Sequence, residues 1–273
     1  MKETQMLDLL RLQDYCESFD NIELKLNWEI LKSRDAEEEM DFFHYEEGHL
    51  VGFLGIYYFG EEYEICGMVH PKFRRRGIFL HLFQKALATI PQEGRILINA
   101  PRNSQSAKKW LEQCACEYAF SEYQMKWHAD RLVATEGSKV TLRSAEERDI
   151  PFVMEVDEEG FGFQQPDTVI FRASVLGDDD HHTSIIENQS EPVGKIQVLR
   201  MQEDSYIYGF AIMPDHQGHG YGKSALLQTV QMENKRGQDI YLEVALHNQY
   251  ALSMYEQCGF VPYQTQDYYA YNG

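Results

Sequence analysis

An internal repeat constrains the fold of this chain more than any other feature of its sequence. Pro71 and Pro214 are 143 positions apart, and so are Gly77 and Gly220. In both places a short apolar segment leads into the proline, and an apolar-periodic run follows the glycine. Because this spacing is about half of the 273 residues, the sequence predicts two copies of one unit, over residues 1–136 and 138–273.

The two copies have the same predicted order of elements, in which a meander of strands leads through a glycine-bearing turn to a helix. In the second copy the elements are strands at 140–143, 183–187, 193–201 and 206–212, a helix at 220–235, a strand at 240–245 and a helix at 249–257. The first copy repeats the meander at 41–45, 50–59 and 63–69, but it opens with a helical segment at 7–18. The pattern predicts an α/β (α+β) protein of two tandem domains, joined near residue 137.

Charge and hydropathy narrow the class of partner. The chain has 25 Lys and Arg against 44 Asp and Glu, a net charge of −19, which argues against nucleic acid and anionic membranes. No apolar run approaches the ~20 residues of a bilayer span, the N-terminus has no signal-peptide core, and five scattered cysteines are typical of reduced thiols. We therefore expect a cytoplasmic protein. The negative net charge does not exclude an anionic ligand, because backbone amides at a helix N-terminus can bind phosphate without a cationic side chain.

The segment Gln217-Gly218-His219-Gly220-Tyr221-Gly222 lies between a predicted strand and a predicted helix. Glycines at three of these positions let the backbone approach a ligand closely, and the helix N-terminus directs amide N–H groups at it. The segment therefore predicts a phosphate-binding loop that needs no arginine. The plainer interpretation is a glycine-rich turn that only connects the strand to the helix.

This loop, together with the segments that follow it, resembles the GCN5-related N-acetyltransferase (GNAT) family. Gln217, Gly220 and Gly222 resemble its motif A. The similarity to its motif B and N-terminal signature rests on Tyr241-Leu242-Glu243-Val244, Asn248, Ala251-Leu252, Tyr255-Glu256 and Gly259-Phe260, and on Thr141–Ala145 with Asp149-Ile150. The resemblance implies that each tandem domain is a twisted, mixed, mostly antiparallel sheet flanked by helices, which splays open after its fourth strand. It also implies acetyl-CoA as cosubstrate, with its pyrophosphate on residues 217–222 and its pantetheine paired with Ala211 and Ile212.

Two residues are candidates for the chemistry of acyl transfer to an amine. Glu243 precedes Tyr255 by 12 positions, a spacing that resembles the ribosomal-protein N-terminal acetyltransferases of this family. Glu243 is the candidate base, acting on the amine directly or through water, and Tyr255 is the candidate proton donor to the departing thiolate. A strand glutamate and a core tyrosine are the structural alternatives. Asn248 resembles the family residue that binds the pantetheine, although an Asn that starts a helix is also a common cap.

The first copy departs from this pattern at the positions that matter. Phe79 stands where the second copy has Gly222, Trp110 stands where it has Tyr255, and Ile98 or Asn99 stands where it has Glu243. We therefore expect a catalytically inactive first domain that serves as a scaffold. Arg74, Arg75 and Arg76 leave open that it still binds CoA.

The sequence predicts an N-acetyltransferase whose acceptor is an amine, either a small molecule or a peptide N-terminus, in a monomer or homodimer without a metal. The cluster at residues 178–182, Asp-Asp-Asp-His-His, is interpreted as an acidic loop because no second cluster has metal-ligand spacing. Three alternatives remain. The chain is a non-catalytic acyl-CoA sensor, it transfers a longer acyl group, or it belongs with the aminoacyl-tRNA-dependent transferases, which the net charge disfavours.

Overall fold

A computed structural model describes residues 1–34, 38–59, 62–131, 137–162, 169–177 and 180–273, and these form two compact units. The first unit comprises residues 1–122 and 264–273, and the second comprises residues 123–263. Both are mixed α/β units with a mostly antiparallel sheet, as predicted. Among the described helices, none combines the length and hydropathy that a membrane span needs.

The sheet of the first unit has the strand order β1-β2-β3-β4-β11-β5. β1, β2 and β3 are antiparallel neighbours, β4 is parallel to β3, and β11 is antiparallel to β4. The elements are α1 (Glu3–Asp20), α2 (Trp28–Ser33), β1 (Asp41–Glu46), β2 (His49–Phe59), β3 (Glu62–Val69), α3 (Ile78–Thr89), β4 (Arg95–Pro101), α4 (Gln105–Leu111) and the relevant parts of β5 (Cys116–Trp127) and β11 (Phe260–Tyr271).

The sheet of the second unit has the strand order β5-β10-β9-β8-β7-β6. β6 to β9 form an antiparallel meander, and β10 is parallel to β9. The elements are β6 (Thr141–Ser144), α5 (Ile150–Phe161), α6 (Val169–Leu176), β7 (His181–Asn188), β8 (Glu191–Met201), β9 (Asp204–Ile212), α7 (Tyr221–Lys235), β10 (Asp239–Ala245) and α8 (Gln249–Gln257).

The units do not coincide with the contiguous halves 1–136 and 138–273 that the repeat predicts. The C-terminal strand, β11, belongs to the second predicted half, but it pairs with β4 of the first, from Gln266 opposite Pro101 to Ala270 opposite Leu97. The Asp267 carboxylate accepts hydrogen bonds from Arg102 and from Ser121, which fixes this strand in the first unit. Of the predicted linker, residues 135 and 136 lie outside the described part of the chain.

In both units the parallel pair of strands separates before either strand ends. β9 and β10 are in register only from Asp204 opposite Asp239 to Ile207 opposite Leu242, whereas β9 continues to Ile212. β3 and β4 likewise pair only from residue 62 to residue 65. In the second unit α7 and α8 cover one face of the sheet, where a cluster of buried apolar side chains includes Leu226, Val230, Ile240, Leu242 and Phe260. The separation leaves a gap beside the end of β9.

Candidate functional site

The glycine-rich loop connects β9 to α7 through two glycines in left-handed backbone conformations. After β9, a 3-10 turn at Pro214–His216 leads to Gly218 and Gly220, whose φ angles of 77° and 79° lie in the left-handed region that favours glycine. The Gln217 side chain donates to the Ile212 carbonyl at 2.9 Å and so ties the loop to the end of β9. Gly220 is the N-cap of α7, so the first amides of that helix are exposed on the loop.

Gly222 brings the loop, β9 and α8 together. A Cβ atom at Gly222 would lie 3.3 Å from the Met254 Sδ and 3.6 Å from both the Ile212 Cγ1 and the Phe210 Cζ. The Phe210 ring is in turn 6.5 Å from the ring of Tyr255, measured between centroids. The loop and Tyr255 therefore belong to one site at the open end of the gap. His219 and Tyr221 stack on each other at 5.4 Å between ring centroids, beside the same loop.

A β-bulge interrupts β9 just before the predicted pantetheine-binding residues. Lys195 is paired with Ala211, but Gln197 is paired with Tyr208, so Gly209 and Phe210 together lie opposite Ile196. Ala211 and Ile212 follow the bulge and lie beyond the register with β10. The edge of these two residues that faces away from β8 is consequently not paired with β10.

Tyr255 is a buried side chain, with 8% of its surface exposed, among the rings of Phe210 and Phe260. Burial raises the pKa of Tyr255 to about 12, and the adjacent Cys258 thiol adds to the increase. Within the described part of the chain, its hydroxyl has no hydrogen-bond partner. The phenol therefore stays protonated at any physiological pH and retains its donor capacity.

Glu243 lies on β10 immediately beyond the last residue paired with β9. It is exposed, and its Oε1 accepts a hydrogen bond of 3.1 Å from the Gln124 side-chain amide. Leu242 and Val244 point into the same core as Tyr255, so Glu243 points to the opposite face of the strand. The spacing of 12 residues thus places the two side chains on opposite faces of the sheet.

Asn248 is the N-cap of α8, where its Oδ1 accepts a hydrogen bond of 3.1 Å from the Ala251 amide. This capping bond uses the oxygen of the side-chain amide and leaves its NH₂ group to donate elsewhere. The two interpretations of Asn248 are compatible, because they use different atoms of one amide.

Lys139, which is not among the predicted site residues, lies over the loop. Its Nζ donates to the His219 carbonyl at 3.2 Å and would be 3.1 Å from a Cβ atom at Gly220. Its backbone is fixed on both sides, because its N–H donates to Ser224 and its carbonyl accepts from Asn188. No local pattern in the sequence distinguishes this lysine, since its position depends on packing against α7.

The first unit repeats the backbone of the loop without its open space. Gly77 has a φ angle of 78°, and Arg75 adopts the left-handed conformation of Gly218. Phe79, however, packs edge-on against Trp110 at 4.7 Å between centroids and reaches within 3.1 Å of where a Cβ atom at Gly67 would lie. The gap in this unit is therefore filled by the chain's own aromatic rings.

The arginines of the first unit are also partly occupied. Arg74 donates to the Val69 carbonyl, as Gln217 does to Ile212, and it forms two hydrogen bonds with the Asp20 carboxylate at 3.0 and 2.6 Å. The strand pairing places Asn99 at the position of Glu243, because Ile98 lies opposite Ile65 as Leu242 lies opposite Ile207. Asn99 donates to the buried Glu64. These features are those of a scaffold.

No group of three or more His, Cys, Asp or Glu side chains is arranged to hold a metal ion among the described residues. Residues 178 and 179 of the acidic segment lie outside that part of the chain. The described portion of the site consists of backbone amides, aromatic side chains, a carboxylate and a lysine.

Comparison with known proteins identifies the family of the chain. The family model described as "Acetyltransferase (GNAT) family" matches residues 5–115 and 146–260. An uncharacterized N-acetyltransferase, YycN of Bacillus subtilis, is 38% identical over 86 residues, which cover 29% of this chain and 55% of that protein. The spermidine N(1)-acetyltransferase of Vibrio cholerae is 26% identical over 141 residues, which cover 45% of this chain and 80% of that protein. The chain thus spans about half the length of the first of these relatives.

Solved structures share the fold over nearly the whole chain. A GCN5-related N-acetyltransferase from Sphaerobacter thermophilus matches with a TM-score of 0.77 and 18% identity, covering 96% of this chain and 91% of that one. A tandem GNAT protein from the clavulanic acid biosynthesis pathway matches with a TM-score of 0.62 and 15% identity, covering 84% and 81%. The tandem arrangement of the two units therefore has a counterpart of known structure.

Proposed function

The chain belongs to the GNAT acetyltransferase family, and from this premise we propose that its second unit transfers an acetyl group from acetyl-CoA to an amine. The observation that carries the proposal is the open gap beside the end of β9, which joins the glycine loop, the bulge and Tyr255 in the second unit. The first unit has the same loop backbone, but Phe79 and Trp110 fill its gap. One catalytic site per chain is therefore expected.

The shape and polarity of this gap fit acetyl-CoA. The amides of residues 218–222 receive the pyrophosphate, and the Lys139 ammonium supplies a cation to an otherwise neutral loop. The free edge of Ala211 and Ile212 pairs with the amides of the pantetheine, and the Asn248 side-chain NH₂ is a donor on the other side. A side chain at Gly222 would close this space, since Met254, Ile212 and Phe210 already line it.

Acyl transfer asks for a neutral amine and a stabilised thiolate. Deprotonating an amine with a pKa of ~10.4 at pH 7 costs about 4.6 kcal/mol of free energy, so a group that accepts its proton accelerates the reaction. Glu243, exposed at the gap, takes up that proton directly or through water. The neutral amine nitrogen attacks the thioester carbonyl and the C–S bond breaks, while the Tyr255 hydroxyl stabilises the departing sulfur by a hydrogen bond from the opposite face. The second proton, which the nitrogen loses as the amide forms, passes through water to the CoA thiolate.

We propose that the acceptor is a cationic amine, which belongs either to a small molecule or to a peptide N-terminus. The net charge of −19 favours cations near the surface, and one relative is named for spermidine acetylation. Spermidine is therefore the first acceptor to test. A longer acyl group remains an alternative, because the loop and β9 bind only the CoA part of the donor.

The test combines binding with turnover. Calorimetric titration of acetyl-CoA is expected to give one site per chain, and CoA release in the presence of spermidine is expected to show transfer. The variant Glu243→Gln should lower kcat/KM by about 10- to 100-fold at pH 7, and by less at pH 9, where more of the amine is already neutral. Glu256→Gln, which changes an exposed glutamate on α8, is the matched control.

Two outcomes would contradict the proposal. Acetyl-CoA binding without transfer to spermidine, other polyamines or peptide N-termini would favour the acyl-CoA sensor. Transfer from propionyl-CoA or longer thioesters in preference to acetyl-CoA would favour the longer acyl group.

A further inference from the structure

A buried polar cluster lies beside the bulge of β9, and none of the steps proposed above uses it. Lys195 on β8 is only 2% exposed, and its Nζ lies 2.6 Å from the Oδ1 of Asp157 on α5 and 3.1 Å from the Oε1 of Gln197. We call these three residues the bulge cluster. Gln197 also donates to the Thr183 hydroxyl at 3.0 Å, so the cluster continues into β7.

The bulge cluster flanks the two residues that make the bulge. Lys195 and Gln197 are the paired residues on either side of it. Gly209 has a φ angle of 50°, and a Cβ atom there would overlap with the Gln197 Oε1, so the amide occupies the space beside the glycine. The cluster therefore touches β9 at the point where its register shifts.

The same cluster sets the position of α5 against β9. A Cβ atom at Gly160, one turn beyond Asp157, would lie 2.8 Å from the Cβ of Ala211. The backbone of α5 at Gly160 thus approaches β9 closely at Ala211, which follows the bulge. Because the Asp157–Lys195 pair joins α5 to β8 one turn away, moving either charge would shift this contact.

The first unit supplies an internal comparison. There β2 and β3 pair without interruption over eight residues, and Gly67 alone lies opposite Leu54. The residues of β2 that correspond to Lys195 and Gln197 in this pairing are Phe53 and Gly55. The unit without a bulge therefore has no charged or amide side chain at either position.

Stability alone does not explain the cluster. Removing two charges from water costs several kcal/mol for each ion, and well-packed apolar residues are often at least as stabilising. Burial lowers the pKa of Lys195, although Asp157 opposes the shift. Phe53 shows that this fold accepts an apolar side chain at the equivalent place.

We propose that Lys195, Asp157 and Gln197 are positioning residues, which hold the β9 bulge in shape and fix α5 over Ala211, and thereby shape the place where the thioester meets the amine. The proposal rests on the function proposed for this site. The three side chains act through the backbone of β9 and are not themselves catalytic.

The test uses a variant that keeps the fold while removing the cluster's charges. Asp157→Leu combined with Lys195→Met replaces the pair by apolar groups of similar size. The matched control is Arg200→Met combined with Glu233→Leu. It removes another ion pair of the same unit, in which the partly exposed Arg200 donates to the buried Glu233 at 2.8 Å. Gln197→Met, which removes only the amide, is the second variant if the double variant does not fold.

Hydrogen exchange of the amides of residues 208–212 is the decisive readout, because it requires no activity. We expect exchange about tenfold faster than in the wild type for the cluster variants and within about twofold for the control. For spermidine acetylation we expect kcat lower by about 10- to 100-fold in the cluster variants, the penalty of a small misplacement of reacting groups.

Wild-type exchange rates at residues 208–212 in a folded cluster variant would overturn the inference. A wild-type protein that transfers no acetyl group would instead refute the proposed function, and the exchange comparison would still decide the role of the cluster.

Discussion

Replacing Tyr255 by phenylalanine separates two roles for its hydroxyl. The ring packs among Phe210 and Phe260, and the hydroxyl has no hydrogen-bond partner among the described residues, so the substitution removes one oxygen without disturbing the packing. We expect the free energy of unfolding to change by no more than about 1 kcal/mol. The affinity for acetyl-CoA should change less than twofold, which corresponds to less than about 0.4 kcal/mol.

The pKa of Tyr255 decides how much the hydroxyl contributes. Full transfer of its proton from a pKa of about 12 to a thiolate of pKa ~8.5 is uphill by about 5 kcal/mol. A hydrogen bond from the phenol to the charged sulfur stabilises it by about 1.5–3 kcal/mol without that transfer. We therefore expect Tyr255→Phe to lower kcat by about 10- to 150-fold, the loss of a hydrogen bond and not of an essential acid.

The assay follows CoA release with a thiol reagent at saturating spermidine and varied acetyl-CoA, from pH 6.5 to 9.5. Because the pKa of Tyr255 is raised to about 12, the wild type and the variant should have parallel pH profiles in this range. An unchanged kcat would refute a role for the hydroxyl in the reaction. A loss that appears wholly in the KM for acetyl-CoA would assign Tyr255 to binding. Loss of all activity above background would exceed the effect of losing one hydrogen bond and would show that the Tyr255 hydroxyl is essential.

Three further predictions test the loop, its cation and the stability of the second unit. Gly222→Phe should abolish the calorimetric signal of acetyl-CoA because the ring would occupy the space lined by Met254 and Phe210, whereas Phe79→Gly should leave the stoichiometry at one per chain. Lys139→Met should weaken acetyl-CoA binding by about two- to fivefold at low salt, and by less at about 0.5 M NaCl, where the charge is screened. The control is Lys235→Met at the far end of α7, which should leave binding unaffected. Equal losses of affinity in both variants would contradict a local contact of Lys139 with the ligand. Hydrogen bonds from Arg143 hold the pKa of Asp149 below its usual range, so this carboxylate stabilises the fold above pH ~4, and its contribution is lost as the pH falls through the lowered pKa. Asp149→Asn should therefore reduce Tm more at pH 7 than at pH 2. An equal reduction at both pH values would show that the charge is not responsible.

The repeat predicted the architecture because its landmarks are local. Proline at the end of a strand and glycine at the start of a helix act through backbone geometry that neighbouring residues determine, and both recur at the predicted positions. The assignment of the last strand was not predictable in this way. Its pairing with β4 depends on contacts such as Asp267 with Arg102, which are far apart in the sequence. Contiguous halves were therefore the natural expectation, and the compact units differ from them.

The bulge was also missed, although the sequence contains a faint sign of it. Val69 and Ile212 are equivalent residues of the two units and lie 143 positions apart in the sequence. Glu62 and Asp204, which the strand pairing makes equivalent, lie only 142 positions apart. One residue has therefore been inserted within β9. A single extra residue in an apolar strand leaves its alternation hard to read, whereas the pairing with β8 locates it at once.

The loop conformation does not distinguish the proposed binding site of the second unit from its counterpart in the first unit. Arg75 and Gly77 in the first unit adopt the left-handed angles of Gly218 and Gly220 in the second, so both loops present a helix N-terminus. The units differ instead in the space behind the loop and in the strand beside it. Phe79 and Trp110 fill that space in the first unit, and its strand pairs without a bulge.

These differences have one physical consequence. A ligand that pairs along β9 needs both a free strand edge and room between the separated strands, and the second unit combines the two. We therefore expect the loss of either condition to prevent binding, because the amides of the loop would contact only the phosphate end of such a ligand. If the second unit is the catalytic one, as we propose, activity should depend on the two features that the first unit lacks: the small residue at position 222 and the bulge that the buried Lys195 adjoins.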